Sequence, residues 1–150
     1  MSPEEVSSVT ECGPYTSFSN GDLETHKGVF DGSEQNFQFF FENKQLRRIG
    51  IYLYEGRDSV VGAKTWAALH GTMTRLFGPL ETPDNIAPAA GEVAATSFEA
   101  KALEMVQGPG KTQMAPLNQP EDAFVFSSFI RREAGAENHY YVIVYFNRRS

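Results

Sequence analysis

The pattern of apolar and polar positions is clearest between Asn36 and Glu55. Phe37, Phe39 and Phe41 alternate onto one face of an extended run, and Ile49, Ile51 and Leu53 alternate onto one face of the next. The polar stretch Glu42-Asn43-Lys44-Gln45 between them predicts a hairpin turn. With a two-residue turn at Asn43-Lys44, straight pairing sets Phe41 against Leu46 but Phe39 against Arg48, and a one-residue slip turns every later side chain to the wrong face. One extra residue at Arg47-Arg48, a β-bulge, restores the match. Phe39 then meets Ile49, and Phe37 meets Ile51. The opposite face becomes Gln38, Phe40, Arg48, Gly50, Tyr52 and Tyr54.

The same reading extends along the chain. Ser2-Pro3-Glu4-Glu5-Val6 predicts a short first helix. Ser2 caps it, Pro3 takes its first turn, Glu5 completes a capping box, and Gly13-Pro14 ends it. Glu24 to Phe30 predicts a strand closed by the turn pair Asp31-Gly32. Ser59 to Phe77 predicts the main helix, capped by Asp58 or Ser59. Its stripe of Trp66, Leu69, Met73, Leu76 and Phe77 is expected to pack on the Phe and Ile face of the hairpin. Gly78-Pro79 ends it. Ala94 to Gln107 predicts a helix with Phe98, Ala102, Met105 and Val106 on one side, with a strand as the alternative.

Glu81–Glu92 and Gly108–Pro120 read as loops. Ala123–Arg132 and His139–Asn147 predict a closing hairpin around Ala134 to Asn138. Tyr140 to Phe146, apolar on both faces, suits a central strand. These elements predict an α+β fold in a single domain over 1–150: an antiparallel sheet of five to six strands with helices on one face. A helix stopped by Gly-Pro and followed by antiparallel strands occurs twice, which reads as two repeated helix-strand units.

Composition narrows function mostly by exclusion. A chain of 150 residues buries roughly 68–70% of its unfolded surface, enough for a sizeable core. Twelve Phe, six Tyr and one Trp supply much of that core. A net charge of −6 argues against a nucleic-acid surface, and no run of 18 apolar residues predicts a membrane span. The single cysteine, Cys12, allows no intrachain disulfide and reads as a small apolar residue at a helix end. No leader is visible, so the expectation is a cytoplasmic protein if Met1 is the true start, and an envelope or periplasmic one if a leader has been removed.

Motif chemistry is sparse. Gly108-Pro109-Gly110-Lys111-Thr112 lacks the first glycine of a phosphate-binding loop, because that position is Met105. His26, His70 and His139 show no paired metal-ligand spacing, and no Gly-x-Ser-x-Gly elbow occurs. No catalytic residue, cofactor or metal is therefore expected. The feature that points to function is the outer hairpin face, where Phe40, Arg48, Tyr52 and Tyr54 form a candidate contact patch. Arg over an aromatic ring is a favourable cation–π arrangement, and Tyr and Arg are enriched at binding hot spots. The bland reading is a second small core beneath the Glu81–Pro120 segment. The competing functional readings are a ligand or enzymatic pocket between the sheet and residues 94–107, involving His70 or His139, and a homodimer that covers its own face.

The start Met1-Ser2-Pro3-Glu4-Glu5-Val6 ahead of Gly13-Pro14, followed by strands of alternating aromatics, resembles the SmpA/OmlA type of small bacterial envelope lipoprotein. The doubled helix-strand order is similar to the β-lactamase inhibitor protein fold. Those families carry a Met-Thr-x-x-x-Val start and a Gly-x-Pro stop. Here Ser2 replaces the threonine, Gly13 abuts Pro14, and the lipid-bearing cysteine has no counterpart before Met1. The resemblance spans about the first half of the chain. It implies a non-enzymatic module that binds another protein through its sheet, in or near the cell envelope. The element order is also similar to that of the type III secretion chaperones, although those usually end in a helix and this chain ends in a strand.

Overall fold

The computed structural model describes residues 1–82 and 92–149, with the side chains of 92–97 left aside. Among the described residues the fold is α+β: three α-helices and one antiparallel sheet of eight strands. The strands are β1 (Thr16–Ser17), β2 (Leu23–Phe30), β3 (Ser33–Glu42), β4 (Gln45–Gly56), β5 (Leu80–Glu81), β6 (Lys111–Pro116), β7 (Ala123–Ala134) and β8 (Glu137–Arg148). The helices are α1 (Pro3–Ser7), α2 (Ser59–Phe77) and α3 (Glu92–Gln107). Strand order across the sheet is β1-β2-β3-β4-β8-β7-β6-β5.

Eight strands exceed the expected five to six for two physical reasons. β1 and β5 are two residues each, too short for any period to register. β6 lies in the stretch 108–120 that was expected to be a loop. Pro116 stands at its end, where it disturbs the ladder least, and β6 pairs with β7 from Lys111 to Met114. Glu81, expected in a loop, pairs with Ala115, and residues 83–91 lie outside the described chain.

The chain folds as two compact units. The first contains Met1–Leu53, Pro120–Val125 and Val144–Ser150; the second contains Tyr54–Gln119 and Phe126–Ile143.

In the first unit, Ser2 caps α1. Its hydroxyl accepts from the Glu5 N–H at 3.2 Å while Glu5 accepts from the Ser2 N–H at 3.3 Å, the reciprocal capping box. The helix stops at Ser7, earlier than Gly13-Pro14 implied, and a 3₁₀ turn at Thr10–Cys12 fills the gap. Cys12 is half-buried there, and its carbonyl accepts a hydrogen bond from the buried Thr25 hydroxyl. Tyr15 closes the segment: its hydroxyl donates to the Val9 carbonyl, and its ring meets Phe39 edge-on at 6.1 Å. Asp31 and Gly32 both adopt positive φ, as do Asn43 and Lys44, so β2-β3 and β3-β4 turn on tight two-residue loops. The register of β3 on β4 follows the bulged pattern: Phe39 faces Ile49, Phe37 faces Ile51, Phe40 faces Arg48 and Phe41 faces Leu46, with Arg47 the extra residue. Phe37 lies flat across Gly28 of β2, where any β-carbon would come within 2.4 Å of the ring.

In the second unit, α2 runs over the expected span and Asp58 caps it, accepting from the N–H groups of Val60 and Val61. Trp66, Leu69 and Met73 are buried, joined by Gly62 and Ala63. Leu76, expected on the same stripe, is 47% exposed. Within this unit α2 packs on α3, β5, β6 and the fully buried Phe129, whose ring lies 6.1 Å from Trp66. On α3, Phe98, Ala102 and Val106 are buried and Met105 is half-buried. The closing hairpin turns on Gly135-Ala136 alone, with Gly135 at φ 66°, so both strands run longer than expected. β8 sits between β4 and β7, in keeping with its two apolar faces.

Candidate functional site

The bulge at Arg47 decides which side chains share the outer face of the first unit. Past it, Arg48, Gly50 and Tyr52 of β4 lie beside Phe40, Gln38 and Asn36 of β3 in register. The next strand in the sheet, β8, adds Tyr145 and Asn147. Gly50 is the floor of the cluster. A β-carbon there would stand 3.2 Å from Tyr52, 3.4 Å from Phe40 and 3.4 Å from Tyr145, so three rings from three strands close over one glycine. The Arg48 guanidinium sits 4.6 Å from the centre of the Tyr145 ring, and its Nε–H donates to Asn147 Oδ1 at 2.6 Å. Phe40, Arg48, Tyr52 and Tyr145 are each half-buried, with the floor glycine itself buried.

A polar margin flanks the rings. Glu24 Oε2 on β2 accepts from Asn36 Nδ2 at 2.8 Å and from Gln38 Nε2 at 3.2 Å. His26, largely exposed, reaches the same group, 3.8 Å from Glu24. Asn36 Oδ1 is buried without a hydrogen-bond partner among the described residues, at the position paired with Tyr52.

Three of the four residues expected to form the patch, Phe40, Arg48 and Tyr52, thus fall in one unit with Tyr145 and Asn147. Tyr54 falls in the second unit, where its hydroxyl accepts from the Asp58 N–H at 2.9 Å and so helps close the start of α2. Tyr145 and Asn147 were missed as site residues. They lie nearly a hundred residues from Arg48 and join it only because β8 pairs beside β4. The available signal was the doubly apolar run of β8, which marks a central strand without naming its neighbour.

The histidines of the competing pocket reading are placed differently. His70 lies on α2 with its ring 4.8 Å from that of Phe98, and burial there holds its pKa below the ordinary value. His139 is half-buried on β8. Gly108-Pro109-Gly110 carries α3 into a strand and not into a helix, so Lys111 and Thr112 have none of the geometry of a phosphate loop. Among the described residues, no group of three or more His, Cys, Asp or Glu is arranged to hold a metal ion, and no helix is long and apolar enough to cross a membrane. The chain matches no protein-family model, no curated protein and no solved structure.

Proposed function

We propose that this protein is a non-enzymatic protein-binding module, and that its partner docks on the outer sheet face built by Phe40, Arg48, Tyr52 and Tyr145. The observation that supports this most is the closure of three rings over Gly50, with Arg48 held between Tyr145 and Asn147. Such a face costs little entropy on binding, because its aromatic and Arg side chains are already placed. Rings and a stacked guanidinium are also the groups that most often dominate binding energy when a partner excludes water from them. The likeness to envelope binding modules with a doubled helix-strand order agrees with this use of a sheet, and a chain that runs out along β1 to β4 and returns through β8 to β5 is compatible with such a doubling.

The test compares the wild-type chain with a variant carrying Phe40→Ser, Tyr52→Ser and Tyr145→Ser, after circular dichroism has shown the variant folded. A partner captured by wild type is purified and its affinity for both chains measured. Loss of roughly 100-fold or more in the variant is expected, since hot-spot truncations cost about 2 kcal/mol or more each. Equal affinity for both chains would move the site elsewhere. Light scattering at high concentration separates a foreign partner from a second copy: a clean monomer removes the homodimer reading.

A further inference from the structure

A cleft of about 290 Å³ opens beside the aromatic face in the first unit, where β4 begins and β8 ends. Its lining holds three arginines, Arg47, Arg48 and Arg148, against one acid, Asp122, over apolar surface from Leu46 and Phe146. That balance runs against the chain as a whole, which carries −6. Arg48 belongs to both places: it lines the cleft, stacks on Tyr145 and donates to Asn147. Arg47, raised out of the ladder by the bulge, pairs at 3.1 Å with Glu42, and both side chains are well exposed, so a competing carboxylate has access.

We infer that this cleft receives the carboxylates of a short acidic segment of the protein partner. The inference rests on the binding-module reading and names the chemistry of what binds. Arg presents planar forked donors that match carboxylates two bonds at a time, and a guanidinium already fixed against Tyr145 loses little freedom in doing so. The net charge selects among anions. A nucleic acid or an anionic bilayer meets the repulsion of the rest of a −6 surface, whereas an acidic segment a few residues long meets only the basic cleft. The partner segment therefore carries acidic residues beside an apolar or aromatic one, the first for the arginines and the second for the ring cluster.

The test uses ¹H–¹⁵N spectra of the full chain, titrated with the synthetic peptide acetyl-Glu-Phe-Glu-Tyr-Glu-amide, its all-Gln counterpart, sodium acetate and inorganic phosphate. Saturable shifts in the amides of 46–49 and 145–148 are expected with the Glu peptide. Binding should be weaker by roughly ten-fold or more for the Gln peptide and for the Arg47→Gln/Arg148→Gln variant, and should weaken further in added salt. Equal binding of the Gln peptide, no effect of the double variant, shifts confined to other regions, or no binding at all would each overturn the inference. So would phosphate or acetate that saturates the cleft without competing with the peptide, which would mark a small-anion site. The two readings separate in partner binding. If the Arg47→Gln/Arg148→Gln chain keeps its partner and the triple-serine chain loses it, the acidic-segment inference falls and the aromatic face stands. If both keep it, both fall.

Discussion

Deleting Arg47 should leave the protein folded, whereas deleting Gly50, three positions on, should not. Arg47 is the residue that the β3 ladder skips between Gln45 and Tyr52: Leu46 pairs with Phe41 and Arg48 with Phe40. Its removal closes the bulge and keeps every pairing with β3, with Ile49 still facing Phe39 and Ile51 still facing Phe37. The identifiable loss is the exposed contact to Glu42, worth at most about 1 kcal/mol, plus a small change in local twist. Deleting Gly50 moves Ile51 into the place opposite Gln38 and turns Tyr52 toward the core. Ile51 is 3% exposed, so expelling it costs about 1.5–3 kcal/mol before the buried Tyr52 hydroxyl is counted. With several further residues of β4 flipped as well, the total approaches the whole stability of a domain this size. Urea unfolding followed by circular dichroism, with the Trp66 signal as a second probe, measures both variants. A cooperative transition within about 2 kcal/mol of wild type is expected for the Arg47 deletion, and loss of cooperative unfolding for the Gly50 deletion. If the Arg47 deletion proves as damaging as the Gly50 deletion, Arg47 is not the surplus residue and the assignment of Arg48 and Tyr52 to the outer face fails with it.

Three further outcomes follow from the second unit. Asp58→Ala removes the acceptor for the Val60 and Val61 N–H groups and should cost about 1 kcal/mol in the same urea assay. Gly71→Ala, with open space around its β-carbon, should stabilise α2 by about 0.5–1 kcal/mol; Gly62→Ala gains the same propensity but sets a methyl 2.9 Å from the buried Phe129 ring, an overpacking cost of about 1–3 kcal/mol that should make the net change destabilising. Burial against Phe98 depresses the pKa of His70, so the unfolded chain takes up a proton there before the folded chain does. The resulting stability is complete above the ordinary His value near 6.5 and drains away as pH falls below it, and His70→Gln should flatten the stability-versus-pH curve between about pH 7 and 5. An unchanged slope would show that other groups set it.

What the sequence disclosed, and what it withheld, divides along the range of the forces involved. Ser2 with Glu5, Asp58, Asp31-Gly32 and Asn43-Lys44 act on their own neighbours, and each stands at the cap or turn its chemistry demands. The bulge was legible for a less local reason: two runs of alternating side chains and a turn of fixed length overdetermine the register, so a mismatch of one residue has to be absorbed somewhere. β6 escaped because Gly110 and Pro116 bracket it with loop signals, while what makes it a strand is the edge that β7 offers it, a fact carried by residues 123–134. Leu76 misled in the opposite sense, having the right period for the stripe and yet standing 47% exposed.

The same division explains the candidate site. Phe40, Arg48 and Tyr52 share a face through one hairpin, and local parity is enough to group them. Tyr145 and Asn147 complete the group only through strand order, which no period in 36–55 encodes. Their arrival changes the chemistry. Without them Arg48 is a long flexible cation beside two rings; with them its guanidinium is stacked and hydrogen-bonded, and the residue also lines a cleft with two more arginines. An Arg so placed draws carboxylates with less loss of freedom than a loose one, and it stands where the ring cluster ends. Removing Asn147 therefore distinguishes a positioned Arg48 from a merely present one. Asn147→Ala leaves every charge and ring in place but also trims the cleft lining, so the part of any weakening of acidic-peptide binding that disappears in an Arg48→Gln background measures the positioning. Affinity equal to wild type would mean that the stacking on Tyr145 suffices to hold the guanidinium.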